Sequence, residues 1–152
     1  MEAALDANVF IHGRGNFGFD HIYTVEEVVE EVESDSGRNV LENIEYSVKD
    51  VSIDIVEQVR EKSDEINSPT SRADENLVAM ALENDYTVVS DDRAVQNLCL
   101  HLDVDFQAFL DDSIDHKVRW HKECDVCGGD FSGGSCSRCG SNSLRLKQVR
   151  CS

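Results

Sequence analysis

The sequence predicts an α/β protein: an open parallel sheet with helices on both faces, followed by a small ribbon built on four cysteines. Three observations predict it. From Ala3 to Phe106, short β-branched or apolar runs alternate with longer stretches of helical periodicity, the pattern of a parallel sheet with crossover helices. Tyr86-Thr87-Val88-Val89-Ser90 is a continuous β-branched run, as a strand buried on both faces requires. Near the C-terminus stand Cys124-x-x-Cys127 and Cys136-x-x-Cys139, with eight residues between the pairs.

Each element follows in order. Ala3-Ala4-Leu5 reads as a strand ending at Asp6, then a short helical stretch over Asn8 to Ile11 and a glycine-rich loop (Gly13, Gly15, Gly18). Ile22-Tyr23 is a short strand. Thr24 and Glu27 have capping-box spacing, Thr24 as N-cap, before an apolar stripe of Val25, Val28, Val29 and Val32. Ser34 to Asn39 reads as a polar loop. Val51 and Ile53 alternate with polar residues like a strand, and Asp54 caps a helix through Ile55, Val56 and Val59. After the only proline, Pro69, a second capping box (Ser71, Asp74) opens a helix bearing Leu77, Val78, Ala81 and Leu82. The Tyr86 to Ser90 strand, a helix from Asp91-Asp92 through Leu102, and a last strand Val104-Asp105-Phe106 complete a domain over residues 1–115. Residues 116–152 form the linker and ribbon.

Two Cys-x-x-Cys knuckles place four thiolates tetrahedrally around one Zn²⁺: Cys124, Cys127, Cys136 and Cys139. Such a pair rarely bridges itself outside redox sites, which disfavours two disulfides. Four thiolates leave no open position, so the zinc is expected to be structural. Cys99 sits in an apolar run as a small hydrophobe. This cysteine usage points to a reducing cytosol. No basic leader opens the chain and no apolar stretch spans a membrane, so the expected location is cytoplasmic, with no membrane partner.

The net charge of −17 is unevenly spread. Residues 1–115 carry 28 acids and 7 bases, net −21, whereas residues 116–152 carry 3 acids and 7 bases, net +4. An acidic body with five lysines in the whole chain resembles proteins adapted to high salt. The basic tail coincides with the ribbon and has the footprint of a polyanion-binding segment.

The acids also have a pattern. Asp6 ends the first strand, Asp91 and Asp92 end the strongest one, Asp74 lies in the first turn of its helix, and Glu31 lies near the end of another. In open α/β sheets ligands bind beyond the carboxyl ends of the strands, at the switch point. Three or four carboxylates there can hold Mg²⁺ or Mn²⁺, which activates a water and neutralises phosphodiester charge. The same placement fits plain capping: Asp74 at a helix N-terminus, Asp92 as an N-cap.

Together these motifs resemble a family. Leu5-Asp6-Ala7-Asn8-Val9-Phe10-Ile11 resembles the opening of PIN-domain nucleases. Tyr23 to Val32 is similar to the second PIN motif of Nob-type rRNA maturation endonucleases, Ser71-Arg72-Ala73-Asp74 with Val78 to Leu82 to the third, and Val88 to Asn97 to the fourth. Ser90 stands where threonine is usual. The four-cysteine ribbon after the PIN-like domain is that subgroup's arrangement. The resemblance implies a PIN-like sheet, with Asp6, Glu31, Asp74 and Asp92 as catalytic and metal-binding residues and Asp91 as a further metal ligand. It implies Mg²⁺- or Mn²⁺-dependent cleavage of single-stranded precursor rRNA, at the 3′ end of small-subunit rRNA in a pre-ribosomal particle. Lys117, Arg119, Trp120, Lys122, Arg138, Arg145 and Lys147 are then expected to bind RNA; Trp120 has packing between the domains as its alternative. The short chain looks archaeal. The rival functions are a toxin-type PIN ribonuclease acting on tRNA and a non-catalytic ribbon that binds RNA.

Overall fold

The computed structural model describes the chain except residues 14–17, 37–38, 43, 111–113, 130, 133–134, 137 and 152. Five parallel strands form one sheet in the order β3-β2-β1-β4-β5: β1 Glu2–Leu5, β2 His21–Thr24, β3 Ser47–Val48, β4 Thr87–Val89 and β5 Phe106–Gln107. Ala3, Ala4 and Leu5 of β1 and Val88 and Val89 of β4 are fully buried. Successive strand residues point to opposite faces, so both faces of the sheet are covered. The covering helices are α1 Ala7–Gly13, α2 Glu26–Ser36, α3 Asn39–Glu42, α4 Ile53–Glu65, α5 Arg72–Asn84 and α6 Arg93–Leu102. The chain winds outward from β1 to β3, crosses back, and adds β4 and β5 on the other side. The switch point therefore lies between β1 and β4, where Leu5 is in register with Val89.

Local chemistry explains the starts of α5 and α6. Ser71 and Asp74 form the capping box: the Asp74 N–H donates to Ser71 Oγ at 3.2 Å, and the Ser71 N–H donates to Asp74 Oδ2 at 3.1 Å. Asp92 is the N-cap of α6, its Oδ1 accepting the Ala94 N–H at 2.8 Å. Four expectations differ. Thr24 does not cap α2: it ends β2, and its buried hydroxyl donates to the Leu5 carbonyl at 3.1 Å. Val51 and Ile53 are not a strand: the edge strand is β3, and Ile53 opens α4 with its side chain in solvent. Ser52, not Asp54, is the N-cap of α4, its hydroxyl and N–H bound to the Glu83 carboxylate. The expected polar loop after Ser34 is helical on both sides of the undescribed residues 37–38.

The C-terminal segment is an arm laid against this body. Its long pair is β6 Val118–Cys124 with β9 Leu144–Arg150, antiparallel, and β7 Phe131–Ser132 pairs with β8 Ser135–Cys136 near the cysteines. Asn97 of α6 donates from Nδ2 to the Val118 carbonyl (2.9 Å) and accepts the Val118 N–H at Oδ1 (2.7 Å). The Trp120 N–H donates to the Ile66 carbonyl (2.9 Å), and Asn67 Nδ2 donates to the Trp120 carbonyl (2.8 Å). Side-chain amides, that of Asn97 fully buried, thus stand in for a neighbouring strand. Among the described residues no helix is long and apolar enough to cross a membrane.

Candidate functional site

At the β1–β4 switch point, Asp6 is almost fully buried. Its Oδ1 accepts the Val9 N–H at 3.0 Å and its Oδ2 accepts the Ser90 hydroxyl. The same Ser90 Oγ accepts the Asp92 N–H at 3.1 Å, so one hydroxyl joins the ends of the two strand-borne acid segments. Burial pushes the Asp6 carboxyl up from 3.8 to about 6, against these hydrogen bonds; the charges of Asp74 and Asp92 push in the same direction. Asp74, half-buried on α5, is raised by burial and then by Asp92 and Glu75. Glu31, on α2, is raised by burial and then by Asp74 and Asp35. Asp6, Asp74 and Asp92 therefore lie in one another's field, and Glu31 joins through Asp74. Asp91 faces elsewhere: its carboxylate accepts the N–H groups of Phe109 (2.7 Å) and Leu110 (2.9 Å).

The four carboxylates offer only oxygen donors, the set that suits Mg²⁺ and Mn²⁺. They are drawn less tightly together than the cysteines. Among the described residues, only Cys124, Cys127, Cys136 and Cys139 form a group whose ligand atoms all lie within 4.8 Å of one another.

The spacing of that second group is the one a tetrahedral thiolate site for Zn²⁺ requires. Sulfur separations are 3.5 Å for Cys124–Cys139 and 3.7 Å for Cys127–Cys136. A tetrahedron with metal–sulfur bonds of about 2.3 Å places sulfurs about 3.8 Å apart. The Val126 and Arg138 N–H groups point to Cys124 and Cys136 sulfur at 3.4 Å. Backbone N–H groups, that of Cys127 first, hold the Cys124 thiol down at about 6. Each knuckle closes at a glycine in the left-handed region, Gly128 (φ 74°) and Gly140 (φ 78°), where a side chain would be strained.

The arm's basic residues divide by strand alternation. Arg119, Glu123, Arg145 and Lys147 share one face of β6/β9 with His121, and Lys117 extends that face just before β6. Lys117, Arg119, Arg145 and Lys147 are all exposed. Arg145 is bound to Glu123 (Nε–Oε1, 2.6 Å). Trp120 and Lys122 are on the opposite face, and Trp120 packs against the body core. Arg138 is exposed in the second knuckle. Sequence reasoning took Ser90 only as a departure from a motif; its place two residues before Asp92 was the available signal for its bridging role.

Fold and sites define an α/β protein with an acidic site at its switch point and a ribbon whose four clustered thiols could hold a metal ion. No family model matches the chain. Among curated proteins it is similar to Endoribonuclease Nob1 of Pyrococcus abyssi, 34% identical over 93% of this chain and 91% of that protein. Endoribonuclease Nob1 of Archaeoglobus fulgidus is 29% identical over 87% of this chain and 83% of its own length. Ribonuclease VapC1 of Thermoplasma acidophilum matches at 32% over 57% of this chain and 45% of its own. The crystal structure of FitAcB from Neisseria gonorrhoeae covers 70% of this chain and 96% of its own at 15% identity and a TM-score of 0.42, too slight a likeness to argue from. The chain belongs to the Nob1 endoribonuclease family.

Proposed function

We propose that the chain cleaves single-stranded precursor rRNA endonucleolytically, at the 3′ end of small-subunit rRNA within a pre-ribosomal particle in the cytoplasm. The observation that carries the reading is the placement of Asp6, buried and titrating near 6, at the switch point within the field of Asp74 and Asp92. Family membership supports the endoribonuclease class. Asp6, Glu31, Asp74 and Asp92 are the residues to hold one or two Mg²⁺ or Mn²⁺ ions. When bound, such an ion lowers the pKa of a water and neutralises phosphodiester charge. Ser90 and the Val9 N–H fix both oxygens of Asp6, and the Ala94 N–H fixes one oxygen of Asp92, so these two carboxylates are held before any substrate arrives.

Zinc in the four-thiol site is the structural ion, since all four positions are taken by protein. The domain boundary at residue 115 separates the catalytic body from an RNA-positioning arm. Lys117, Arg119, Arg145 and Lys147 on one face are suited to phosphates, with Arg138 at the tip and Lys122 on the far side.

Incubating the protein with precursor small-subunit rRNA and Mn²⁺, and mapping new 3′ ends, tests this. A single new end that disappears in Asp6→Asn is expected. Intact precursor, or cleavage of tRNA alone, overturns the reading.

A further inference from the structure

We propose that Gln96 is a positioning residue for the acidic site, through which the docked arm sets Ser90 and thereby Asp6. The inference rests on the nuclease reading above. Gln96 is 1% exposed on α6. Its Nε2 donates to the Ser90 carbonyl at 2.7 Å, and its Oε1 accepts the Ile114 N–H at 2.9 Å. The carbonyl needs a donor and the N–H an acceptor, so only one orientation of the amide makes both bonds. Ser90 in turn donates its hydroxyl to Asp6 and accepts the Asp92 N–H. A continuous hydrogen-bond path thus runs from Ile114, on the segment that leads into the arm, through Gln96 and Ser90 to Asp6.

The adjacent residue, Asn97, grips the arm at Val118, and His101 one turn on contacts the same carbonyl at 2.9 Å. Two consecutive side chains of one helix therefore hold the arm and the segment that leads into it, and one of them also holds the Ser90 peptide. A glutamine serves both ends at once; a residue that paired only with Ile114 would leave the buried Ser90 carbonyl without this donor. If the arm's seating biases the acidic site, occupancy of that site must bias the arm by the same factor.

The test combines cleavage kinetics on precursor RNA with hydrogen exchange of amides 114–120. In the wild type, saturating Mg²⁺ should slow exchange at Ile114 and Val118 by about tenfold, and Asp6→Asn should abolish the slowing. Gln96→Glu keeps the acceptor for Ile114 and loses the donor to Ser90. It should retain wild-type Trp120 emission and KM while kcat falls about tenfold or more. Gln96→Met loses both bonds, so kcat should fall as far and the emission of the chain's single tryptophan should move to the red.

Wild-type kcat in either folded variant overturns the proposal, as does a kcat that falls only with the folded fraction. If neither variant folds, the wild-type exchange experiment decides, and exchange indifferent to Mg²⁺ overturns it. Failure of the nuclease reading looks different. The wild type would then leave every RNA intact, while Asp6-dependent slowing of exchange would still support the coupling.

Discussion

Asn97 pairs with both the N–H and the carbonyl of Val118, 2.7 and 2.9 Å away, so a helix side chain completes the hydrogen bonding of a strand 21 residues further on. Both residues are buried, and water cannot replace these bonds.

Asn97→Leu should therefore cost about 1–3 kcal/mol, since it orphans the buried Val118 N–H and leaves the Val118 carbonyl to His101 alone. Denaturant melts would give the loss of stability, and Trp120 emission would report release of the arm. Unchanged emission would show that the Trp120 contacts with Ile66 and Asn67 suffice.

Asp6 makes stability depend on pH. It titrates near 6 in the fold against 3.8 in the unfolded chain, so between those values the folded chain keeps a proton that the unfolded chain has lost. The stability associated with protonated Asp6 is present below about pH 4 and is lost as pH rises through 6, by up to about 3 kcal/mol. In EDTA at pH 7, Asp6→Asn should be more stable than wild type by about 1–2 kcal/mol, after its weakened hydrogen bonding is allowed for. Added Mg²⁺ should stabilise the wild type and not the variant. Equal melting curves for both in EDTA across pH 4–8 would contradict the raised titration.

Cleavage should vanish in both Asp6→Asn and Asp92→Asn while RNA affinity stays within about threefold, because the basic arm that meets phosphates is untouched. Filter binding and single-turnover cleavage on the same preparations separate the two. Retained cleavage would leave the acids with a structural role alone.

One zinc per chain should be found by metal analysis. Cys127→Ser should unfold the ribbon and leave the α/β body intact, since metal binding there supplies folding energy. Two disulfides in a thiol count would refute the site.

The charge split predicts an unusual salt response. Added KCl should first screen repulsion between the −21 body and RNA, and only then weaken the +4 arm's phosphate contacts. Affinity is expected to be flat or rising toward molar KCl. Lys147→Ala with Arg119→Ala should lower it at every salt concentration. A steep monotonic loss for the full chain would remove the body from the account.

What the sequence disclosed was local. The Ser71–Asp74 box, the Asp92 cap and the β-branched run into Ser90 are written in neighbouring residues, and the structure forms them. Thr24 fits the capping rule equally well, yet its hydroxyl is taken by Leu5, 19 residues earlier, on the neighbouring strand. Val51 and Ile53 have strand alternation, but the edge pairing with Tyr23 and Thr24 is taken by Ser47 and Val48. The bridging role of Ser90 and the grip of Gln96 and Asn97 on the arm depend on partners that no spacing rule connects. Of the acids, Asp6 and Asp92 could be placed because strand ends are legible; the rotation of Asp91 toward Phe109 depends on the return of the chain after β5.

The body grips the antiparallel arm at Val118 and again at Trp120, and the return strand brings Arg150 back opposite Val118. Both grips lie at one end of the long strand pair, and the sulfur tip sits at the far end of a lever. Four residues of strand beyond Trp120 reach about 13 Å, so a tilt of about 10° at Trp120 swings Cys124 by about 2 Å. That swing is a fraction of the spacing of successive phosphates along a nucleic-acid strand. The stiffness of two side-chain amides thereby sets the reach over which the tip can search.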